Sequence, residues 1–239
     1  MNNKTFIFRN KSELGKNAAQ QFIRIGVESI KENGRFSVAL SGGSTPKIMY
    51  KELVQNFADQ LDWNDVHFFW SDERYVPLSH PDSNAGMAKK YLLEPLAIMD
   101  ENVHYISTDL RDANQAAVLY EQDVVNYFEN TSPQFDLVLL GLGDDGHTAS
   151  LFPGTKALQE QKRLVAANWV DKFQLWRVTF TYPLINQAKN IIFLVAGKEK
   201  ASVVHDLIAE KNSQHPAARV APEKGNILWL LDAEAAASL

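Results

Sequence analysis

Asp144-Asp145-Gly146-His147 places two carboxylates and an imidazole side by side in the chain. A carboxylate next to an imidazole suits proton transfer near neutral pH, because histidine ordinarily titrates at about 6.5 and an acid can orient its ring or raise its basicity. The residues before them, Asp136 to Leu142, form a short apolar run bounded by turn residues, which predicts a strand buried on both faces of a parallel sheet. Gly141, Gly143 and Gly146 then permit the turns that leave the acids and the histidine at that strand's carboxyl end, the edge where open α/β sheets bind ligands.

The same glycine spacing matches a dinucleotide fingerprint, but the chemistry opposes that reading. A pyrophosphate would meet Asp144 and Asp145, and the position expected to hold the ribose falls near Glu160, inside the polar run Gln159-Glu160-Gln161-Lys162-Arg163. The loop is better explained as a holder for Asp145 and His147.

Two further clusters follow apolar strands. Ser41-Gly42-Gly43-Ser44-Thr45-Pro46 comes directly after Phe36 to Leu40 and opens a helix. Free N–H groups of Gly42, Gly43, Ser44 and Thr45 with two hydroxyls make an anion cradle, while the same residues also suit an ordinary capped turn. It is not a Walker loop, since the Gly-Lys-Ser/Thr ending is missing. Asp72-Glu73-Arg74 follows Val66 to Trp70; seen once it reads equally well as a solvated loop with an internal ion pair. Lys200 opens a helix, where a cation opposes the helix dipole, and this hints that it is held there to meet an anion.

The rest of the chain must position these groups. Thr5 to Arg9, Val103 to Ser107, Leu164 to Val170, Arg177 to Tyr182, Ile191 to Ala196 and Ile227 to Leu231 read as strands. Helices are expected from Ser12 towards Lys31, from Pro46 to about Phe57, from Asp82 or Ser83 through Leu93, from Asn114 to Phe128, and through Val204 to Ile208. His215 to Ala218 suggests a helical turn, and Ala233 to Leu239 a terminal helix or a frayed end capped by Asp232. The expected fold is α/β: one domain over 1–239 around a mostly parallel, Rossmann-like sheet flanked by helices, with a smaller β-containing lobe at about 155–182.

Composition limits the chemistry. The 239 residues are 45% apolar and contain no cysteine, which removes thiol nucleophiles, disulfides and thiolate metal sites and fits a reducing compartment. A formal net charge of -5 argues against general nucleic-acid binding, so an anionic ligand needs a local group of Arg and Lys. The polar start and strand-sized apolar runs point to a cytoplasmic protein with no signal peptide or membrane span. His67 and His104 read as core or edge residues, and no paired-histidine pattern suggests a metal. No cofactor is called for. Nor is a Gly-x-Ser-x-Gly elbow present, which argues against a serine acyl-enzyme. A small homo-oligomer and a monomer are equally open.

Taken together, the Ser41 to Pro46 loop, Asp72-Glu73-Arg74-Tyr75-Val76-Pro77, Gly141 to Pro153, Arg177-Val178-Thr179, Gly197-Lys198-Glu199-Lys200-Ala201 and Trp229-Leu230-Leu231-Asp232 resemble the 6-phosphogluconolactonase family, in order and over nearly the whole chain. The related glucosamine-6-phosphate deaminases share the glycine loop and the Asp-Gly-His turn but carry Phe-Asn-Glu-Pro where this chain has Ser150-Leu151-Phe152-Pro153. Phe152 has no proton to exchange, which favours lactone hydrolysis over deamination. A non-catalytic sugar-phosphate sensor is a third reading, weakened by His147 and by the lack of room for a DNA-binding segment.

The resemblance implies a small phosphorylated sugar lactone as substrate in the pentose phosphate pathway. His147 would be the general base, and Asp145 would orient it. The phosphate would lie against Gly43, Ser44 and Thr45, with charge from Arg74, Arg177 and Lys200. Which arginine meets phosphate and which meets the oxyanion or carboxylate is open at this stage. So is Asp72, which is the proton-abstracting base in the deaminases and here would orient Arg74.

Overall fold

The computed structural model describes residues 2–129, 131–210 and 214–239. In chain order the elements are β1 (Asn2–Phe8), α1 (Lys11–Asn33), β2 (Phe36–Leu40), α2 (Ser44–Asn56), β3 (Val66–Trp70), β4 (Asp72–Arg74), α3 (Asn84–Ala88), α4 (Ala113–Tyr127), β5 (Leu137–Leu140), β6 (Val165–Val170), β7 (Leu175–Phe180), α5 (Tyr182–Ile185), β8 (Asn190–Val195), α6 (Ala201–Ile208) and β9 (Asn226–Asp232). Six strands form one parallel sheet in the order β1-β9-β8-β5-β2-β3, and β4-β7-β6 form a small antiparallel sheet.

The apolar runs become fully buried strands because helices cover the large sheet: every residue of β2 and β5 is buried. Helix α1 begins where the Asn10 side chain accepts from Glu13 N–H and stops at Gly34, whose φ of 73° needs no Cβ. Its buried stripe of Leu14, Ala18, Phe22 and Ile25 faces the sheet at helical spacing. No helix among the described residues is long and apolar enough to cross a membrane.

The strand order places the site. β8, β5, β2 and β3 are consecutive neighbours, so their carboxyl ends bring together the Lys200 turn, the His147 loop, the glycine loop and Asp72.

The amino-terminal side of the same strands is tied by Asp136. Its Oδ2 accepts from Ser37 N at 2.9 Å and Ser37 Oγ at 2.8 Å, and its Oδ1 accepts from Lys189 Nζ at 2.8 Å. Asp136→Ala leaves a buried N–H and an ammonium without an acceptor, so we expect a loss of about 3 kcal/mol in urea unfolding with little change in catalysis. A loss below about 1 kcal/mol would show that this clamp is not stabilising.

Several expectations are corrected. Val103 to Ser107 forms no strand: only Val103 bridges to Phe68, and Tyr105 packs its ring on Trp70 instead, with centroids 5.1 Å apart. The helix expected from Asp82 to Leu93 starts at the Ser83 cap but runs as α3 only to Ala88 and continues as a wider π turn over Lys89–Leu93. The strand expected to reach Tyr182 ends at Phe180, because Tyr182 and Pro183 open α5. The 233–239 tail is neither helix nor fray but a series of turns, held where Asp232 Oδ1 accepts from Ala235 N at 2.8 Å.

Asp72-Glu73-Arg74 is the main surprise. Expected as a charged loop, it is the strand β4, and the expected 155–182 lobe supplies only the other two strands of the small sheet. Among the described residues Glu73 forms no ion pair with an arginine. It is buried, with Oε1 accepting from Arg74 N and Asn84 N and Oε2 from Ser83 Oγ and Ala85 N, so it caps α3. Burial pushes its carboxyl up, against the pull of those bonds.

Candidate active site

A cleft of about 310 Å³ lies at the carboxyl edge, lined by Gly42, Gly43, Ser44, Thr45, Asp72, Arg74, His147 and Lys200 among others. Of the residues expected at the site, all but Asp145 and Arg177 line the cleft, and these two adjoin residues that do, His147 and Arg74. Each touches a neighbour that matters.

The Asp145–His147 contact, which residue spacing could not settle, is present: Asp145 Oδ1 lies 2.5 Å from His147 Nδ1 and also accepts from His147 N at 3.2 Å. Although burial pushes the Asp145 carboxyl up, the bond and charge of His147 and the nearby Lys172 hold it well below the usual carboxylate range. Asp145 is therefore anionic at working pH. With Nδ1 committed to the carboxylate, Nε2 is the nitrogen left for proton transfer. Gly143 makes this geometry possible. A Cβ there would stand 1.9 Å from His147 Nδ1 and 2.7 Å from Asp145 Oδ1. Phe152 stacks on the imidazole, centroids 3.8 Å apart, so the residue that differs from the deaminase pattern is an apolar wall behind the base.

The glycine loop is held open as a cradle. Tyr50 donates to Ser41 O at 2.7 Å, Gly43 takes φ 102°, and no side chain caps the start of α2, so the first-turn N–H groups are not consumed by one. Gly42 is needed because a Cβ would fall 1.7 Å from Asn84 Oδ1.

β4 pairs with β7 so that Arg74 lies opposite Arg177 and Asp72 opposite Thr179. Directly opposed residues share a face of an antiparallel pair, so the register sets two guanidinium groups side by side. Arg74 Nη1 donates to Asp82 O at 2.9 Å. The Nε groups of both arginines are buried with no hydrogen-bond partner among the described residues. Burial pulls the Arg177 guanidinium down, partly offset by Asp72. Two guanidinium groups side by side, one of them buried, repel each other and favour an anion between them.

Among the described residues no hydrogen bond joins Asp72 to the Arg74 side chain. Asp72 Oδ2 accepts from Ser150 Oγ at 2.6 Å and its Oδ1 from Asn84 Nδ2 at 3.4 Å, so it ties the His147 loop to the start of α3. Asn84, Ser150, Glu199 and Lys172 belong to the site or its support and were not singled out in the sequence. Asn84 had one usable signal, its place after the Ser83 cap; the others carried none. His67 and His104 are half-buried away from the cleft, where His104 Nδ1 meets Asp123 Oδ2 at 3.0 Å.

A profile described as glucosamine-6-phosphate isomerases/6-phosphogluconolactonase matches residues 9–229. The chain belongs to this family. Within the isomerase/lactonase family, it is 43% identical over 216 residues to the 6-phosphogluconolactonase of Synechocystis sp., covering 89% of this chain and 88% of that one. It is 44% identical over 216 residues to the protein of the same name from Nostoc sp., covering 88% of each. The structure of 6-phosphogluconolactonase from Trypanosoma cruzi superposes with a TM-score of 0.89 at 33% identity, covering 100% of this chain and 98% of that one.

Proposed function

We propose that this chain hydrolyses 6-phosphoglucono-δ-lactone to 6-phosphogluconate, the second step of the oxidative pentose phosphate pathway, with His147 as general base. The observation that carries the reading is the Asp145–His147 pair opening on the cleft with Phe152, not a carboxylate, behind it. Names of the relatives point the same way. The residues that line the cleft run from Ser41 to Lys200, which supports reading the chain as one domain. The absence of cysteine fits a reducing compartment such as the cytoplasm.

His147 Nε2 takes a proton from water as the water oxygen attacks the lactone carbonyl. Asp145 stabilises the imidazolium that forms. As the tetrahedral centre collapses, the bond from carbonyl carbon to ring oxygen breaks and the imidazolium returns its proton to that oxygen. The products are a carboxylate, a free hydroxyl and one proton released to solvent. The phosphate sits at the start of α2, against the N–H groups of Gly43, Ser44 and Thr45 and between Arg177 and Lys200. Arg74 then faces the carbonyl end, where negative charge develops.

The test is proton release from freshly made phosphorylated lactone, with the uncatalysed opening subtracted. Wild-type protein is expected to exceed the blank by orders of magnitude. A folded protein that does not exceed it, yet releases ammonia from glucosamine 6-phosphate, would overturn the lactonase reading in favour of the deaminase.

A further inference from the structure

The reading of Asp145 and His147 as the acid–base pair leaves one feature of the small sheet unexplained. The β6–β7 hairpin turns through Asp171-Lys172-Phe173-Gln174, and Gln174 holds φ 48°, a left-handed conformation that favours glycine. Three bonds lock the turn: Gln174 N and Nε2 both donate to Asp171 O, at 3.2 and 3.0 Å, and Trp169 Nε1 donates to Asp171 Oδ1 at 2.8 Å. A turn so constrained at a lobe's tip has a position to keep.

That position is against the catalytic loop, from two sides. Lys172 Nζ lies 3.3 Å from Asp145 Oδ2 and 3.3 Å from Asp144 Oδ1, so one ammonium bridges both carboxylates. Asp145 is thereby held by both oxygens, His147 on one and Lys172 on the other. The next residue, Phe173, sets its ring edge-on to Phe152 at 5.8 Å and 71°, while Phe152 stacks on the His147 imidazole. The Arg177 guanidinium lies over the same Phe173 ring at 5.3 Å, although Phe173 is 48% exposed. One locked turn therefore touches the support of the acid, of the imidazole and of an arginine serving the cleft.

We propose that the Asp171–Gln174 turn is a brace for the acid–base pair, in which Lys172 is a positioning residue that fixes the Asp145 carboxylate from its outer oxygen and Phe173 steadies the imidazole through Phe152. A carboxylate anchored at one oxygen only can rotate and let the ring follow, and misorientation of a general base lowers the rate of the chemical step more than it lowers substrate affinity. The Lys172 ammonium is engaged by Asp144 and Asp145 and lines no part of the cleft, so its loss should leave binding alone.

The experiment is steady-state kinetics of lactone opening, blank-subtracted, for wild type, Lys172→Met, Lys172→Arg, Phe173→Ala and His147→Ala, with thermal melting of each. Lys172→Met is expected to lower kcat about 10-fold while KM stays within about twofold, the pattern of lost geometry and not of lost binding. Lys172→Arg should restore kcat to within about twofold, because a guanidinium fork can span the two carboxylates. Phe173→Ala should also lower kcat at unchanged KM. The proposal is overturned if Lys172→Met keeps the wild-type kcat, if its loss appears in KM, or if arginine fails to rescue it. Melting at an exposed lysine should be almost unaffected, and a Lys172→Met loss that tracks unfolding and persists in a fully folded Lys172→Arg also overturns it. Should His147→Ala retain the wild-type rate, the acid–base reading itself falls; a His147→Ala collapse beside an unchanged Lys172→Met removes the brace alone.

Discussion

His147→Ala is expected to lower kcat by about 100- to 10,000-fold, taking lactone opening close to the uncatalysed rate. Three features of the site make the effect large. Nε2 is the nitrogen left free by the Asp145 bond, the ring opens onto the cleft, and among the described residues no other imidazole lines that cleft. The protein should remain folded, because His147 packs chiefly on Phe152 at the site's edge and is not part of the hydrophobic core. Asp145→Asn should cost less, about 10- to 1,000-fold, since an amide can still touch the ring but supplies no charge to the imidazolium. Initial rates of proton release at saturating substrate check both. A His147→Ala protein that keeps more than a tenth of the wild-type kcat would exclude His147 as the base.

Arg177→Met is expected to lower kcat/KM on the phosphorylated lactone by about 100-fold, the worth of one or two charge-assisted hydrogen bonds to phosphate. The loss should lie mostly in KM. On δ-gluconolactone, which has no phosphate, wild type and variant should differ by less than about threefold, because the interaction removed is one that substrate cannot make. The same substitution should leave the melting temperature unchanged or raise it. Arg177 is 7% exposed and its Nε has no partner among the described residues, so the free protein carries a poorly compensated buried charge. An equal loss on both lactones would move Arg177 from the phosphate to the reacting carbonyl.

These two residues also differ in how far the chain itself announces them. His147 is visible because its chemistry is local: an apolar strand, glycines and an Asp-Gly-His turn all lie within a few residues of each other. The glycine loop is visible for the same reason, since a strand, two glycines, two hydroxyls and a proline at a helix start are contiguous. Buried parallel strands are legible because burial on both faces leaves a continuous apolar run, and β2, β3, β5 and β8 appear where such runs stand. The sheet's edge was less legible. Val103 to Ser107 has the composition of a strand, yet it pairs with β3 at Val103 alone, while the Tyr105 ring stacks on Trp70.

Arg74 and Arg177 became a pair only through β4–β7 register, across more than a hundred residues of chain, and nothing near either one signals the other. Asp72-Glu73-Arg74 looked like a solvated loop because charged residues rarely form buried strands. The fold supplies Glu73 with three backbone N–H groups and a hydroxyl, and sends Asp72 to Ser150, partners that exist only after the loops have converged. Lys172 and Phe173 lie in a hairpin turn of ordinary composition and meet the His147 loop only because the small sheet stands over the carboxyl edge of the large one. By itself, then, the sequence determined the candidate residues Asp145 and His147, the glycine loop and the strands that carry them, since local patterning encodes what lies within a few residues of chain. Only the tertiary structure decided that Asp145 touches His147, which distant charges share a face, that Lys172 reaches Asp145 and that Asp72 bonds Ser150, because those contacts depend on loop conformation, strand order and register, which no local stretch of chain specifies.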